Sequence, residues 1–297
     1  MTKDFMANRN NRQNHQREQI SPQEWAEKKQ LEKEAVYQMI DSTAEEISEN
    51  PDKLKAFLDV QARMDRYSSA NALLIYSQLP EATRLKDFTG WGEDNVRVKK
   101  GAKSISILEP VEYTKNDGST GISYNVKKMF DVSQTNGKRQ PAPTLNRDPQ
   151  ELVAVMIDTS PVEVEIVDEM PQPNMGAFYK NEDQTLYVKR GFGDGVLLCQ
   201  NIAQELAFAQ LSIQSDSYNR REMGFKAVCV GYMVCKKLGI DTKSFAVNRM
   251  PSDWKDMDAK AVRSELSQMR SALGEIHSRV SDELYRQQQA RSKDRER

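Results

Sequence analysis

The chain has 297 residues, 38% of them hydrophobic and 29% charged, and its 43 Lys and Arg nearly balance 44 Asp and Glu. Those values indicate a soluble protein with a sizeable core and polar extensions; no apolar run approaches the roughly 20 residues that span a membrane. The two histidines, His15 and His277, count against a histidine-based metal site or a Ser/His/Asp triad.

The first residues, MTKDFMANRNNRQNHQ, are polar and lack the apolar centre of a secretory signal. Residues 1–20 are expected to be a disordered tail, and the location cytoplasmic. Cys199, Cys229 and Cys235 are an odd set with the spacing of core thiols, which fits a reducing compartment. Ser21-Pro22-Gln23-Glu24 is a helix start, with Ser as N-cap and Glu as its capping-box partner. The helix that follows carries Leu31, Val36, Met39, Ile40 and Ile47 on its apolar face, and Asn50-Pro51 breaks it. A second helix runs through Leu54, Phe57, Leu58 and Met64, and a third, capped at Ser68 or Ser69, ends at Pro80.

From Arg97 the texture changes to short β-like runs at 104–108, 111–113, 122–126 and 127–132, with Asn116-Asp117-Gly118 as a hairpin turn. Residues 21–135 thus read as a first α+β domain, helices followed by a small antiparallel sheet. Residues 136–148 read as a linker. A second domain over 149–250 opens with a helix near 149–159, a strand at 162–167 and a hairpin around Asn181-Glu182-Asp183. Two buried helices follow, at 196–211 and about 220–238, the latter ended by Gly239. Residues 251–297 form a long amphipathic helix with a charged tail. Its seam of Val262, Leu266, Met269, Leu273, Ile276, Val280 and Leu284 is suited to docking on its own domain, or to self-association or a protein partner through 258–290.

Two constellations carry chemistry. Residues 51–140 hold 15 Lys and Arg against 11 Asp and Glu, while residues 141–250 hold 11 against 14. Within the first stretch, Arg84, Lys86, Phe88, Trp91, Arg97, Lys99, Lys100 and Lys103 form a candidate nucleic-acid surface. Cations track phosphates there and aromatic faces stack bases. The plain alternative is a solvated loop with Trp91 in the core. The second constellation lies in the helix at 196–211. A metallopeptidase helix needs His-Glu-x-x-His, two imidazoles one turn apart and a Glu that polarises water. Here the five residues are Gln204, Glu205, Leu206, Ala207 and Phe208, so a would-be general base stands between two positions that do not hold a first-row metal.

The order of several motifs resembles ArdC-type antirestriction proteins and the LtrC-like proteins of mobile elements. These motifs are residues 67–83 (YSSANALLIYSQLPEAT), Trp91, residues 98–103 (VKKGAK) and residues 130–135 (FDVSQT). The resemblance implies an N-terminal single-stranded-DNA-binding domain followed by a zincin-like metallopeptidase domain. The family's two ligand histidines fall on Gln204 and Phe208. Its acidic positions on the next helix, which include the third ligand, fall on Lys226 and Val228. The expectation is therefore a DNA-binding accessory protein without cofactor or catalytic metal, its peptidase-like domain inactive and Glu205 vestigial. Arg97, Lys99, Lys100 and Lys103 would meet phosphates, with Arg84 and Lys86 nearby, and Trp91, Tyr67 and Tyr76 would stack or frame. The alternatives are an active metal-dependent hydrolase with other ligands, or a pure protein-interaction or inhibitor module.

Overall fold

A computed structural model describes residues 21–115, 117–141 and 148–295. The tail expected at 1–20, Asn116 of the hairpin turn and residues 142–147 of the expected linker lie outside the described residues. The α+β class holds. Helix α1 (Pro22–Glu49) starts on the capping box read from the sequence, Glu24 N–H donating to Ser21 Oγ and Ser21 N–H to Glu24 Oε2. Its core face begins only at Val36, and Leu31, expected inside, is exposed. Helix α2 (Pro51–Arg63) is capped by Asn50 and α3 (Ser69–Gln78) by Ser68. A two-residue strand β1 (Leu85–Lys86) and a short helix α4 (Phe88–Glu93), neither foreseen, follow.

The four β-like runs are two long strands of one hairpin, β2 (Ile105–Thr114) and β3 (Thr120–Asp131), in register from Ile105↔Met129 to Thr114↔Thr120. With β1 they make an antiparallel sheet of order β1-β3-β2. The outward edge of β2 is closed by α3 rather than by another strand. The Asn71 amide accepts from Leu108 N–H at 2.7 Å and donates to Leu108 O at 2.8 Å. Gln78 does the same for Ser106, at 2.9 and 3.0 Å. Two amides on one helix thus replace the ladder of a missing strand, which a sheet edge otherwise offers to any passing chain.

The second unit is α5 (Pro149–Asp158), β4 (Glu163–Val167), β5 (Ala177–Lys180), β6 (Thr185–Lys189), α6 (Gly195–Ile213) and α7 (Arg220–Leu238). Its sheet runs β4-β6-β5, parallel for β4 and β6 and antiparallel for β5 and β6. Gly239 ends α7 with φ 72°, the left-handed cap that a glycine adopts without penalty. Helix α8 (Ala259–Arg295) buries Val262, Leu266, Met269, Leu273, Ile276 and Val280 against α1, α3, α6 and α7. The seam is therefore occupied by its own chain. Of the options read from the sequence, docking on its own domain is the one this seam takes, and its apolar side chains are covered. One core cluster runs from α1–α3 through α5–α8. Among the described residues no helix is long and apolar enough to cross a membrane.

The Asn71 bridge yields a direct test. Asn71→Leu keeps the volume but strands a buried N–H and C=O on Leu108, so unfolding stability should fall by about 2–3 kcal/mol. Denaturant titration of both proteins measures it, and an unchanged midpoint would show that α3 does not hold the sheet edge.

Candidate functional site

The basic turn is held in place by one buried carboxylate. Asp131 Oδ1 accepts from the N–H groups of Thr83 (2.6 Å) and Arg84 (2.9 Å), and Oδ2 from that of Ser133 (2.8 Å). Burial pushes the Asp131 carboxyl up, but the donors on Arg84, Ser133 and Thr83 outweigh it and hold it below the usual carboxylate range. Asp131 also starts a 3-10 turn at Val132–Gln134, and its N–H donates to Gln134 Oε1. Gln134 then donates from its amide to Lys103 O at 2.7 Å and accepts Lys99 N–H at its carbonyl, at 2.9 Å. The segment 97–103 is thus tied through two residues to the start of β1. Gly101, at φ 83°, makes the bend.

On this frame Arg97, Lys99, Lys100 and Lys103 are exposed. The Lys99 ammonium donates to Ser133 O at 2.9 Å. Among the described residues none of the four is paired with a carboxylate. Arg84 is exposed, its guanidinium 4.8 Å from the centre of the Trp91 ring, while Lys86 pairs with Asp94 at 2.7 Å. The aromatic assignments change. Trp91 is fully buried and its indole N–H donates to Phe130 O at 2.8 Å, so it frames the surface and has no free face for a base. Tyr76 packs edge-on against Phe57 at 6.3 Å, also a framing role. Tyr67 is half-buried beside the Ile75–Ile105 cluster. Phe88, the first residue of α4, is 70% exposed and is the aromatic that this face presents.

The second site centres on Glu205, which sits 5% exposed in the apolar helix α6. A lone buried carboxylate costs several kcal/mol unless something neutralises it. The partner is Arg220, at the first turn of α7. Its Nη2 lies 2.7 and 2.9 Å from the two Glu205 oxygens, and its Nη1 donates to Tyr179 O at 3.2 Å. The guanidinium carbon stands 3.9 Å from the Phe208 ring centre and 4.5 Å from that of Phe178. Tyr179 N–H completes the set, donating to Glu205 Oε2 at 2.7 Å. Burial pushes the Glu205 carboxyl above its ordinary range, with Arg220 and the Tyr179 N–H pulling the other way. Sequence reasoning missed Arg220; the available signal was a carboxylate in an apolar helix, which requires a cation.

The positions where the resemblance places ligands offer no second metal-binding group beside Glu205. Gln204 lines a small cavity of about 190 Å³ with Leu197, Gln200, Asn201, Glu205, Ser244 and Phe245. Gly231 of α7 lies against the Gln204 backbone, where a Cβ would come within 3.0 Å. Val228 packs at the edge of the core, and Lys226 points to α8, pairing with Glu265 at 3.0 Å. Among the described residues no group of three His, Cys, Asp or Glu is placed to hold a metal ion. The donors around that cavity are one carboxylate already bonded to a guanidinium, three amides and a hydroxyl, a set that does not fit a hydrolytic metal. The three cysteines are buried, and burial pushes the Cys199 thiol up to about 12 and raises Cys229 and Cys235 as well. They are packing groups, as the sequence indicated.

Residues 29–146 match the family model described as the N-terminal domain of anti-restriction factor ArdC. No curated protein matches the chain. Among solved structures, the metal-free antirestriction ArdC protein from the R388 plasmid aligns with a TM-score of 0.48 at 16% identity, covering 73% of this chain and 86% of that one. Its Mn(II)-bound form aligns at 0.50 and 14% identity, covering 72% and 85%. The amino-terminal unit is thus an ArdC-type N-terminal domain. The match covers residues 29–146 and does not extend to the carboxy-terminal unit.

Two substitutions probe these frames. Asp131→Asn should lower stability by about 1.5–3 kcal/mol at neutral pH, since charge-assisted bonds become weaker amide ones. Because folding depresses this carboxyl, its contribution is complete above the unfolded value near 4 and is lost as pH falls through the folded value. The gap between the two proteins should therefore close below about pH 4, as followed by urea titration across pH. Arg220→Ala, which leaves Glu205 buried and unpaired, should cost about 3–5 kcal/mol. Arg220→Ala combined with Glu205→Leu should cost less than the two separate losses summed, and simple additivity in thermal unfolding would contradict the pairing.

Proposed function

We propose that this chain is an antirestriction-type accessory protein of a mobile genetic element that binds single-stranded DNA through its ArdC-type domain. Its second unit is a metal-free, catalytically inactive relative of a metallopeptidase domain. The observation that carries this reading is the contrast between the two sites. One presents cations that no acid neutralises among the described residues; in the other a carboxylate is already neutralised from within.

At the first site Arg97, Lys99, Lys100 and Lys103 meet phosphates, with Arg84 beside them and Phe88 as the exposed ring. Such contacts give affinity with little sequence preference, and each phosphate neutralised steepens the salt dependence. At the second site a general base would have to take a proton from water at Glu205. Both its oxygens accept from Arg220, a cation that does not deprotonate, so the carboxylate is engaged by its partner and not free to take a proton. Arg220 in effect supplies the positive charge that a metal would bring, without an exchangeable position.

The reading of an active metal-dependent hydrolase draws on the Mn(II)-bound R388 protein, which shares the fold at 14% identity. The donor set here speaks against it. Two measurements separate the readings. Lys99→Glu with Lys100→Glu should weaken binding to a labelled oligonucleotide at least about tenfold and flatten its salt dependence. The melting temperature should barely change. Unchanged affinity would remove the assignment from this turn. Added Mn(II) or Zn(II) should leave the melting temperature of untagged protein unchanged. A saturable rise that Glu205→Gln abolishes would overturn the inactive reading.

A further inference from the structure

The junction between the two units holds a groove that lies beyond the basic turn. A cavity of about 1170 Å³ is lined by Arg63 and Arg139 on one side and by Lys236 and Lys237 of α7 on the other. A second cavity of about 410 Å³, lined by Arg66, Tyr67 and Arg84, shares Arg63, Thr83 and Gln140 with the first, so the two are one continuous groove.

The charges in this groove do not cancel. Asp59 is taken up by Lys236 at 3.1 Å and by the Tyr232 hydroxyl at 2.7 Å, and Asp65 by Lys237 at 2.8 Å. Asp241 faces Lys243 at 3.4 Å. The four arginines, by contrast, meet no carboxylate among the described residues. Arg63 donates instead to the carbonyls of Pro80 and Ala82, and Arg139 to that of Glu81. Only Glu81, exposed at the rim, faces them unpaired among the described residues. Burial draws the Arg63 guanidinium below its ordinary value, and the Arg139 charge adds to that while Asp59 opposes it. A group of like charges held together at this cost is placed to receive an anion.

Two further observations point to the same ligand. Thr83 Oγ1, in the part of the groove common to both cavities, is buried with no hydrogen-bond partner among the described residues. Buried hydroxyls are normally bonded, and a phosphate oxygen would accept this one. Tyr67, a half-buried aromatic, lines the same cavity as Arg66 and Arg84. Guanidinium groups along a cleft with an aromatic face beside them are the chemistry that grips an unpaired strand, and a duplex offers no base face to such a ring.

We propose that this groove, framed by Arg63, Arg66, Arg84 and Arg139 with Tyr67 as a base platform, is a single-stranded-DNA path that runs from the ArdC-type domain to the carboxy-terminal unit. It rests on the DNA-binding reading above and extends it. The strand is held at the junction of both units, and α7 forms one wall.

The test uses the full chain and a labelled mixed-sequence oligonucleotide, read by anisotropy at several salt concentrations. Arg66 and Arg139 are exposed and lie outside the core. Arg66→Glu with Arg139→Glu should weaken binding at least about tenfold and lower the salt slope by about 1.4, two phosphates at roughly 0.7 each. Arg66→Gln with Arg139→Gln should lose less affinity but the same slope, and it carries the test should the glutamate pair lower the melting temperature. Lys255→Glu with Lys260→Glu, which line neither cavity, should change nothing. Tyr67→Phe should bind as the parent does and Tyr67→Leu roughly tenfold more weakly. Parent affinity and slope in both arginine double variants would overturn the groove while leaving the DNA-binding reading intact. No binding by the parent chain would overturn both, and equal affinity for duplex would overturn the single-strand assignment.

Discussion

A carboxylate in the middle of an apolar helix must be neutralised, and the carboxy-terminal unit is arranged around that requirement. Glu205 sits among Leu206, Ala207 and Ala209, all buried, where an unpaired charge is costly. The cation comes from the first turn of α7, and its guanidinium fits its surroundings on every side. Two oxygens of Glu205 and the carbonyl of Tyr179 take its protons, while Phe178 and Phe208 cover its faces. Phe208 thus has a role of its own, its ring covering one face of the guanidinium. The close approach of α7 to α6 at Gly231, and the seat of β5 on Glu205 through Tyr179, belong to the same arrangement.

The opposite electrostatic solution governs the amino-terminal unit. Its key carboxylate, Asp131, is neutralised by backbone N–H groups rather than by a cation, so no basic side chain is drawn into it. Arg84 illustrates this: its backbone N–H serves Asp131 while its side chain stays exposed over Trp91. A net charge of −1 for the whole chain conceals the difference between the units. Where charges meet their partners matters more than how many there are.

Much of the fold was legible in local signals. The capping box at Ser21, the break at Asn50-Pro51, the left-handed stop at Gly239 and the seam of α8 each rest on a few neighbouring residues with one physical meaning. The hairpin was harder, because its strands are buried mainly at the end that α3 covers. Beyond Leu108 they expose Val111, Tyr113, Ile122 and Tyr124, so alternation cannot separate inside from outside and two strands read as four. Strand β1 and helix α4 span too few residues to show a period. At the sites, the cations of the basic turn were visible as composition, but the roles of Phe88 and Trp91 depend on which ring the sheet covers. The Glu205–Arg220 pair joins residues 15 apart on two helices, and no local pattern marks it. The four arginines of the groove are likewise scattered over 63–139 and gather only in the folded chain.

Helix α8 has a consequence for how such a chain can change over time. It packs against α1 and α3 as well as α6 and α7, and Arg270 on it donates to the carbonyls of Asp65 and Tyr67. An exchange of gene segments that kept the first 146 codons and brought in a foreign remainder would uncover the hydrophobic backs of α1 and α3. The amino-terminal helices therefore depend on α8 for cover, and a hybrid chain would need a closing helix whose apolar side chains match them.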